Sequence, residues 1–238
     1  MTAVLERVVA PETLDGLSEA DPAAQRSRRD LQRVHRAMGT RRILAKALRG
    51  WLAPNAEGRP LRVLELGAGD GTLMLGVARA LATDASPVEL TLLDRQDLVA
   101  PGTRRAYAAL GWRVVPRVVD VVDWVANGAD ERWDVIVANL FLHHFEGEAL
   151  SALLAACGAR CDRFFACEPR RARLALGASH LVGFIGANAV TREDAVLSVH
   201  AGFRDAELSA LWPQASAWRL EEHPAALFSH CFRATRTA

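Results

Sequence analysis

From about residue 62 onward, short runs of apolar, often β-branched residues alternate with stretches whose apolar positions recur every three or four residues. RVLEL (62–66), VELTLL (88–93), VVPRVV (114–119), WDVIVA (133–138) and RFFAC (163–167) read as strands. Their apolar character is nearly continuous rather than alternating, which predicts strands buried on both faces of a parallel sheet. Between them, Leu73, Val77 and Leu81 form one helical stripe, and Leu150, Leu153, Leu154 and Cys157 form a second. Strand–helix alternation at this spacing predicts βαβ units in a doubly wound α/β sheet. The C-terminal part differs. ASAWRLEEH (215–223) and ALFSHCFRA (226–234) are strand-like runs with only Pro224 and Ala225 between them, which predicts an antiparallel hairpin closing one sheet edge.

Residues 1–59 carry no strand pattern. Arg26 to Trp51 reads as helices, with Leu31, Val34 and Met38, then Ile43, Leu44 and Leu48, on apolar faces and Gly39 as the break. The run from Asn55 to Pro60 reads as a linker. The expected organisation is therefore a helical cap or lid over 1–59 and an α/β domain over 60–238.

Composition narrows the class. Of 238 residues, 50% are hydrophobic and 24% charged, which is ordinary for a globular protein and excludes a disordered chain or a fibre. A net charge of +1 gives no general attraction to nucleic acid or anionic membrane. The arginines between Arg26 and Arg42 sit on helical faces with Asp30 among them, as in a solvated surface rather than an RNA-binding arm. No signal peptide and no apolar segment of membrane-spanning length is read, so a cytoplasmic location is expected. Cys157, Cys161, Cys167 and Cys231 form no CxxC pair and have no partner at zinc spacing, so they are expected to be buried thiols, with no metal site.

The richest local signal is VLELGAGDGTL (63–73), a strand running through Gly67, Gly69 and Gly71 into a helix. Glycines at such a turn let backbone approach a ligand closely. The loop reads GxGxG after Glu65, not the GxGxxG of dinucleotide sites. Asp94, followed by Arg95, closes the second strand, where a carboxylate can accept both hydroxyls of a ribose. Asp120 closes the third, where it can accept from an adenine amine while the next backbone N–H meets the ring. A lone aspartate after a strand is often only a turn residue or helix cap. Acidic residues at three successive strand ends instead define one carboxyl edge, where ligands of open α/β folds bind.

With these residues the chain resembles the class I S-adenosylmethionine-dependent methyltransferases, over about residues 60–238. ELGAGDG looks like their first motif, Asp94 their ribose acid, Asp120-Val121 their adenine contact, and WDVIVANLFLHHF their fourth motif. The resemblance implies S-adenosylmethionine as cofactor, held by Glu65, Gly67, Gly69, Asp94, Arg95, Asp120, Val121 and Asn139. It also implies a mostly parallel seven-stranded sheet in the order 3-2-1-4-5-7-6.

The LHHF run is similar to the LHDW run of plant-type small-molecule O-methyltransferases, whose first histidine is the base. That resemblance makes His143 the general base and Glu168, after RFFAC, the acid that orients it. The bland alternatives are packing of a histidine against the next helix and an ion pair of Glu168 with Arg170 or Arg171. That family's long dimerisation domain has no counterpart in this sequence; a homodimer stays open. The apolar stretch 174–190 reads either as core or as the lining of an acceptor pocket, with His180 and Asn188 as polar points; His144 is a further substrate-binding candidate and the alternative base. The expected activity is methyl transfer to a hydroxyl of a small phenolic acceptor. Carbon or nitrogen methylation and a non-catalytic cofactor-binding protein are the alternatives, with a dinucleotide oxidoreductase more remote. Nucleic-acid methylation is disfavoured, because Ala138-Asn139-Leu140-Phe141 is not the (N/D)PP(Y/F) run of base-flipping amine methylases.

Overall fold

A computed structural model describes residues 5–53, 58–82, 86–128 and 130–237, so the expected linker lies partly outside the described residues. Helix α1 (Thr13–Gly16) is a single turn, followed by α2 (Pro22–Met38) and α3 (Thr40–Leu48). Asp21 caps α2 by accepting from the Ala23 and Ala24 N–H groups, with Pro22 at its first position. Gly39, at φ +70°, ends α2 and turns the chain into α3.

Strands β1 (Leu61–Leu66), β2 (Val88–Asp94), β3 (Trp112–Val118), β4 (Val135–Asn139), β5 (Arg163–Pro169), β6 (Trp218–Ala225) and β7 (Ser229–Arg236) form one sheet. Its order is β3-β2-β1-β4-β5-β7-β6, as the resemblance implies. The first five strands pair in parallel, and β7 runs antiparallel between β5 and β6.

Two expectations need correction. Pro224 and Ala225 do not make the hairpin turn; they pair with His230 and Ser229 within β6. Proline is tolerated there because β6 is an edge strand with one unpaired side, and the chain reverses at Ala226, whose φ is +53°. Strand β3, at the other edge, is only half-buried after Trp112, because it has a neighbouring strand on one side alone.

Helices α4 (Thr72–Leu81) and α5 (Pro101–Ala108), with α3, cover one face of the sheet. Leu44, Leu48, Met74, Val77, Leu81 and Tyr107 pack there on Leu61, Val63 and Leu90. On the other face lie α6 (Val121–Asn127) and α7 (Gly147–Arg160), and beyond α8 (Arg173–Ser179) and α9 (Ala189–Ala201) comes α10 (Glu207–Leu211). Trp124, Leu150, Leu153, Leu154 and Leu208 meet Leu64, Leu66 and Ile136 across that second core. Because α3 belongs to the first core, residues before and after 59 share one hydrophobic interior. All four cysteines are free and buried. No described helix is long and apolar enough to cross a membrane. The parallel strands β1 to β5 all end at the same sheet edge, and the candidate residues gather there.

Candidate active site

A cavity of about 470 Å³ opens at this carboxyl edge. Its floor is the glycine loop. Gly67 has φ +64°, and a Cβ there would overlap the Phe141 ring, so both backbone angle and space demand glycine. Gly69, at φ +55°, has open space where a side chain would go, so its backbone faces the cavity bare. Asp94 fixes the loop: Oδ2 accepts from the Gly69 N–H at 2.8 Å and Oδ1 from the Gln96 N–H at 3.0 Å.

Three buried polar atoms of cavity-lining residues make no hydrogen bond within the chain: Glu65 Oε2, Asn139 Oδ1 and His35 Nδ1. An unpartnered buried polar group costs about 1–3 kcal/mol, so their clustering in one cavity points to a ligand that supplies the partners. Burial, with Asp70 and Asp94 nearby, pushes Glu65 up to about 8. Burial drives His35 down to about 4, only partly opposed by Asp70. This donor and acceptor set fits a zwitterionic amino-acid group beside a ribose: an ammonium group answers Glu65, and Asp94 can take hydroxyls.

Opposite the loop, the turn after β4 carries the two histidines. Glu168, fully buried at the end of β5, accepts backbone N–H groups of Phe141 at 3.1 Å and Leu142 at 3.0 Å. It also accepts from His143 Nδ1–H, at 2.8 Å, so one carboxylate pins both the turn and the imidazole. Of the two alternative ion-pair partners, Arg170 and Arg171, the second is engaged with Glu207 instead. On its other side, His143 Nε2 lies 3.3 Å from Glu12 Oε1. Burial alone would lower the His143 pKa, but the hydrogen bonds and charges of Glu12 and Glu168 outweigh it and raise it to about 9. Burial raises the Glu12 pKa, yet its bond to His143 and the nearby imidazole charges bring it below the ordinary carboxylate value. The His144 ring lies tilted against that of His143, with centroids 4.3 Å apart, and pairs with Asp15 at 3.3 Å. Its burial and the charge on His143 lower its pKa. Glu12, His143 and His144 each place a nitrogen or oxygen within 4.8 Å of the others.

No protein-family model and no curated protein matches the chain. Solved structures do. An O-methyltransferase family protein from Burkholderia thailandensis superposes with a TM-score of 0.53 at 16% identity, over 82% of this chain and 57% of its own. N,N-8-amino-8-demethyl-D-riboflavin dimethyltransferase from Streptomyces davawensis gives 0.57 at 18%, over 95% and 62%. Magnesium protoporphyrin IX methyltransferase from Synechocystis PCC 6803, with bound SAH, gives 0.52 at 14%, over 94% and 91%. The fold is that of the class I methyltransferases. The chain spans less than two thirds of the length of the first and second of these.

On this methyltransferase fold, Glu65, Gly67, Gly69, Asp94, Arg95, Asp120, Val121, Asn139, His143 and His144 all line the one cavity. Asp120 is not in β3, which ends at Val118; it caps α6 by accepting from the Val122 N–H at 2.8 Å. Arg95 pairs with Asp15 at 3.0 Å. Two expected residues lie elsewhere. His180 is exposed at the end of α8. Asn188 caps α9, accepting from the Thr191 N–H and donating to the Ala23 carbonyl, so its polar atoms are spent on the scaffold. The apolar stretch 174–190 does not line the cavity, and apart from Ala175 and Ser179 it stays out of the buried interior: Leu174, Leu181 and Phe184 are exposed. Sequence reasoning missed Glu12 and His35. Both come from the N-terminal segment, and no local pattern marks them.

Proposed function

We propose that this protein transfers a methyl group from S-adenosylmethionine to a hydroxyl of a small, phenolic acceptor, with His143 as general base. The observation that carries the reading is the hydrogen bond of 2.8 Å between His143 and buried Glu168, in the same cavity as the Asp94-tethered glycine loop. Glu65, Asn139 and the loop backbone would hold the amino-acid end of the cofactor, Asp94 its ribose, and Asp120 with Val121 its adenine. Bound there, S-adenosylmethionine supplies an activated methyl group. The protein's part is alignment and proton removal.

Alignment comes from rigid parts: the loop is tied to β2, and the His143 turn is tied to β5. Orienting two reactants in this way contributes up to several kcal/mol. Proton removal falls to His143 Nε2, because Nδ1–H is committed to Glu168. The carboxylate fixes the tautomer and stabilises the imidazolium that forms. A phenol, with a reference pKa of about 10, needs such a base near neutral pH. The segment before α3 borders the cavity: Glu12 and Asp15 reach the histidines, and Gln32 donates to Asp70 at 3.0 Å beside the glycine loop. We assign it the role of a lid that excludes water.

The test is transfer of labelled methyl from S-adenosylmethionine to a panel of weakly acidic phenols. Wild-type protein should yield the methyl ether. His143→Ala should lower turnover by about 10²–10⁴-fold, as for loss of a general base, with S-adenosylhomocysteine affinity retained. Absence of cofactor binding, or full turnover in His143→Ala, would overturn the reading.

A further inference from the structure

Glu12 occupies the nitrogen that the proposed chemistry needs. An ionised carboxylate only accepts hydrogen bonds. With Nδ1–H given to Glu168 at 2.8 Å and Glu12 held ionised by its neighbours, the contact of 3.3 Å between Nε2 and Glu12 Oε1 is favourable only if Nε2 also carries a proton. The ring between the two carboxylates is then an imidazolium, which cannot take a proton from an acceptor.

We propose that Glu12 is a positioning residue for the base: it holds His143 protonated in the closed site and cedes Nε2 to the acceptor hydroxyl. The proposal rests on the reading of His143 as the base. Three features support it. Glu12 lies in coil just before α1, outside any helix or strand. The Ser198 hydroxyl, from α9, donates to Glu12 Oε1 and sets its position. The segment is docked independently of Glu12: Asp194 accepts from the Thr13 and Leu14 N–H groups, and Arg7 donates to the carbonyls of Ala201 and Phe145. The carboxylate can therefore swing away while the segment stays in place.

When the Glu12 carboxylate leaves Nε2, the imidazolium loses the charge that held its proton and gives that proton to solvent. The neutral imidazole then accepts the acceptor's O–H proton while the oxygen bonds to the methyl carbon and the sulfur keeps the electron pair of the broken bond. When product leaves, Glu12 returns to Nε2–H, so one proton reaches solvent per turnover. The other groups facing His143 stay unchanged. They are Glu168 from β5, His144 with its partner Asp15, and Arg7, which lies near the His143 carbonyl. From α9 come Ser198 and Asp194, the latter committed to α1.

Titration of His143 by nitrogen-15 NMR, in the full chain, tests this. In Glu12→Gln the His143 midpoint should fall by about one to two pH units, the effect of losing one close opposite charge. Ser198→Ala should move it less, in the same direction. The acid limb of the pH–rate profile should follow the midpoint downward in both variants, with S-adenosylhomocysteine affinity unchanged. An unchanged midpoint in both variants overturns the role of Glu12 and leaves the base assignment standing. Failure of that assignment shows separately, as full turnover in His143→Ala.

Discussion

Binding of S-adenosylhomocysteine should release a proton, and Glu65 should be its source. The carboxyl is buried beneath the glycine loop, has one oxygen without a partner, and sits at about 8 because burial and the charges of Asp70 and Asp94 oppose its ionisation. At pH 7, about nine in ten Glu65 side chains are then protonated, since one pH unit is a factor of ten in the ratio. An ammonium group placed against the carboxyl lowers its pKa by about 1–3 units. A fall of two units leaves about one in ten protonated. Binding at pH 7 should therefore release about 0.8 proton, and the release should fade above about pH 9 and below about pH 5. Calorimetry in phosphate and in Tris measures this, because the observed enthalpy varies with buffer ionisation enthalpy in proportion to the protons released. Between about pH 6 and pH 8 the affinity should also rise with pH. Glu65→Gln should abolish the buffer dependence. A wild-type enthalpy independent of buffer at pH 7, or an unaltered dependence in Glu65→Gln, would refute the assignment of Glu65 to the ammonium group.

Asp94→Ala removes the ribose acceptor and also the tie to the Gly69 and Gln96 N–H groups. Loss of a charge-assisted bond costs about 1.5–3 kcal/mol, so calorimetry should find S-adenosylhomocysteine bound roughly 10–150-fold more weakly. Gly67→Ala meets two penalties, a left-handed backbone at φ +64° and overlap with the Phe141 ring. The backbone part alone costs about 1–2 kcal/mol, which for a chain of this size lowers Tm by about 2–8 °C. Adding Phe141→Ala should not restore that part, and full recovery of Tm relative to Phe141→Ala alone would contradict the backbone argument.

The parallel part of the sheet was legible because its signal is local. Apolar runs such as VELTLL, separated by helical stripes, leave few topologies, and parallel strands bring their carboxyl ends together. Glu65, Asp94, His143 and Glu168 inherit their proximity from that topology. The hairpin turn was misplaced because the chain reverses at Ala226-Leu227-Phe228, which carries no glycine and looks like strand. Glu12 and His35 were invisible for a different reason. Their positions depend on long-range contacts such as Ser27 with Thr191 and Asp194 with α1, which leave no periodicity or motif in the sequence. His180 and Asn188 were misjudged because an apolar stretch does not reveal which way its polar residues face.

If one cavity holds the cofactor with its reactive end toward His143, a crystal structure of the protein with S-adenosylhomocysteine will show it. The ribose hydroxyls should lie on Asp94, the adenine beside Asp120 and Val121, and the ammonium group on Glu65, with the sulfur facing His143. Binding at another site, or a sulfur turned away from His143 with that ring walled off from the ligand, would contradict it.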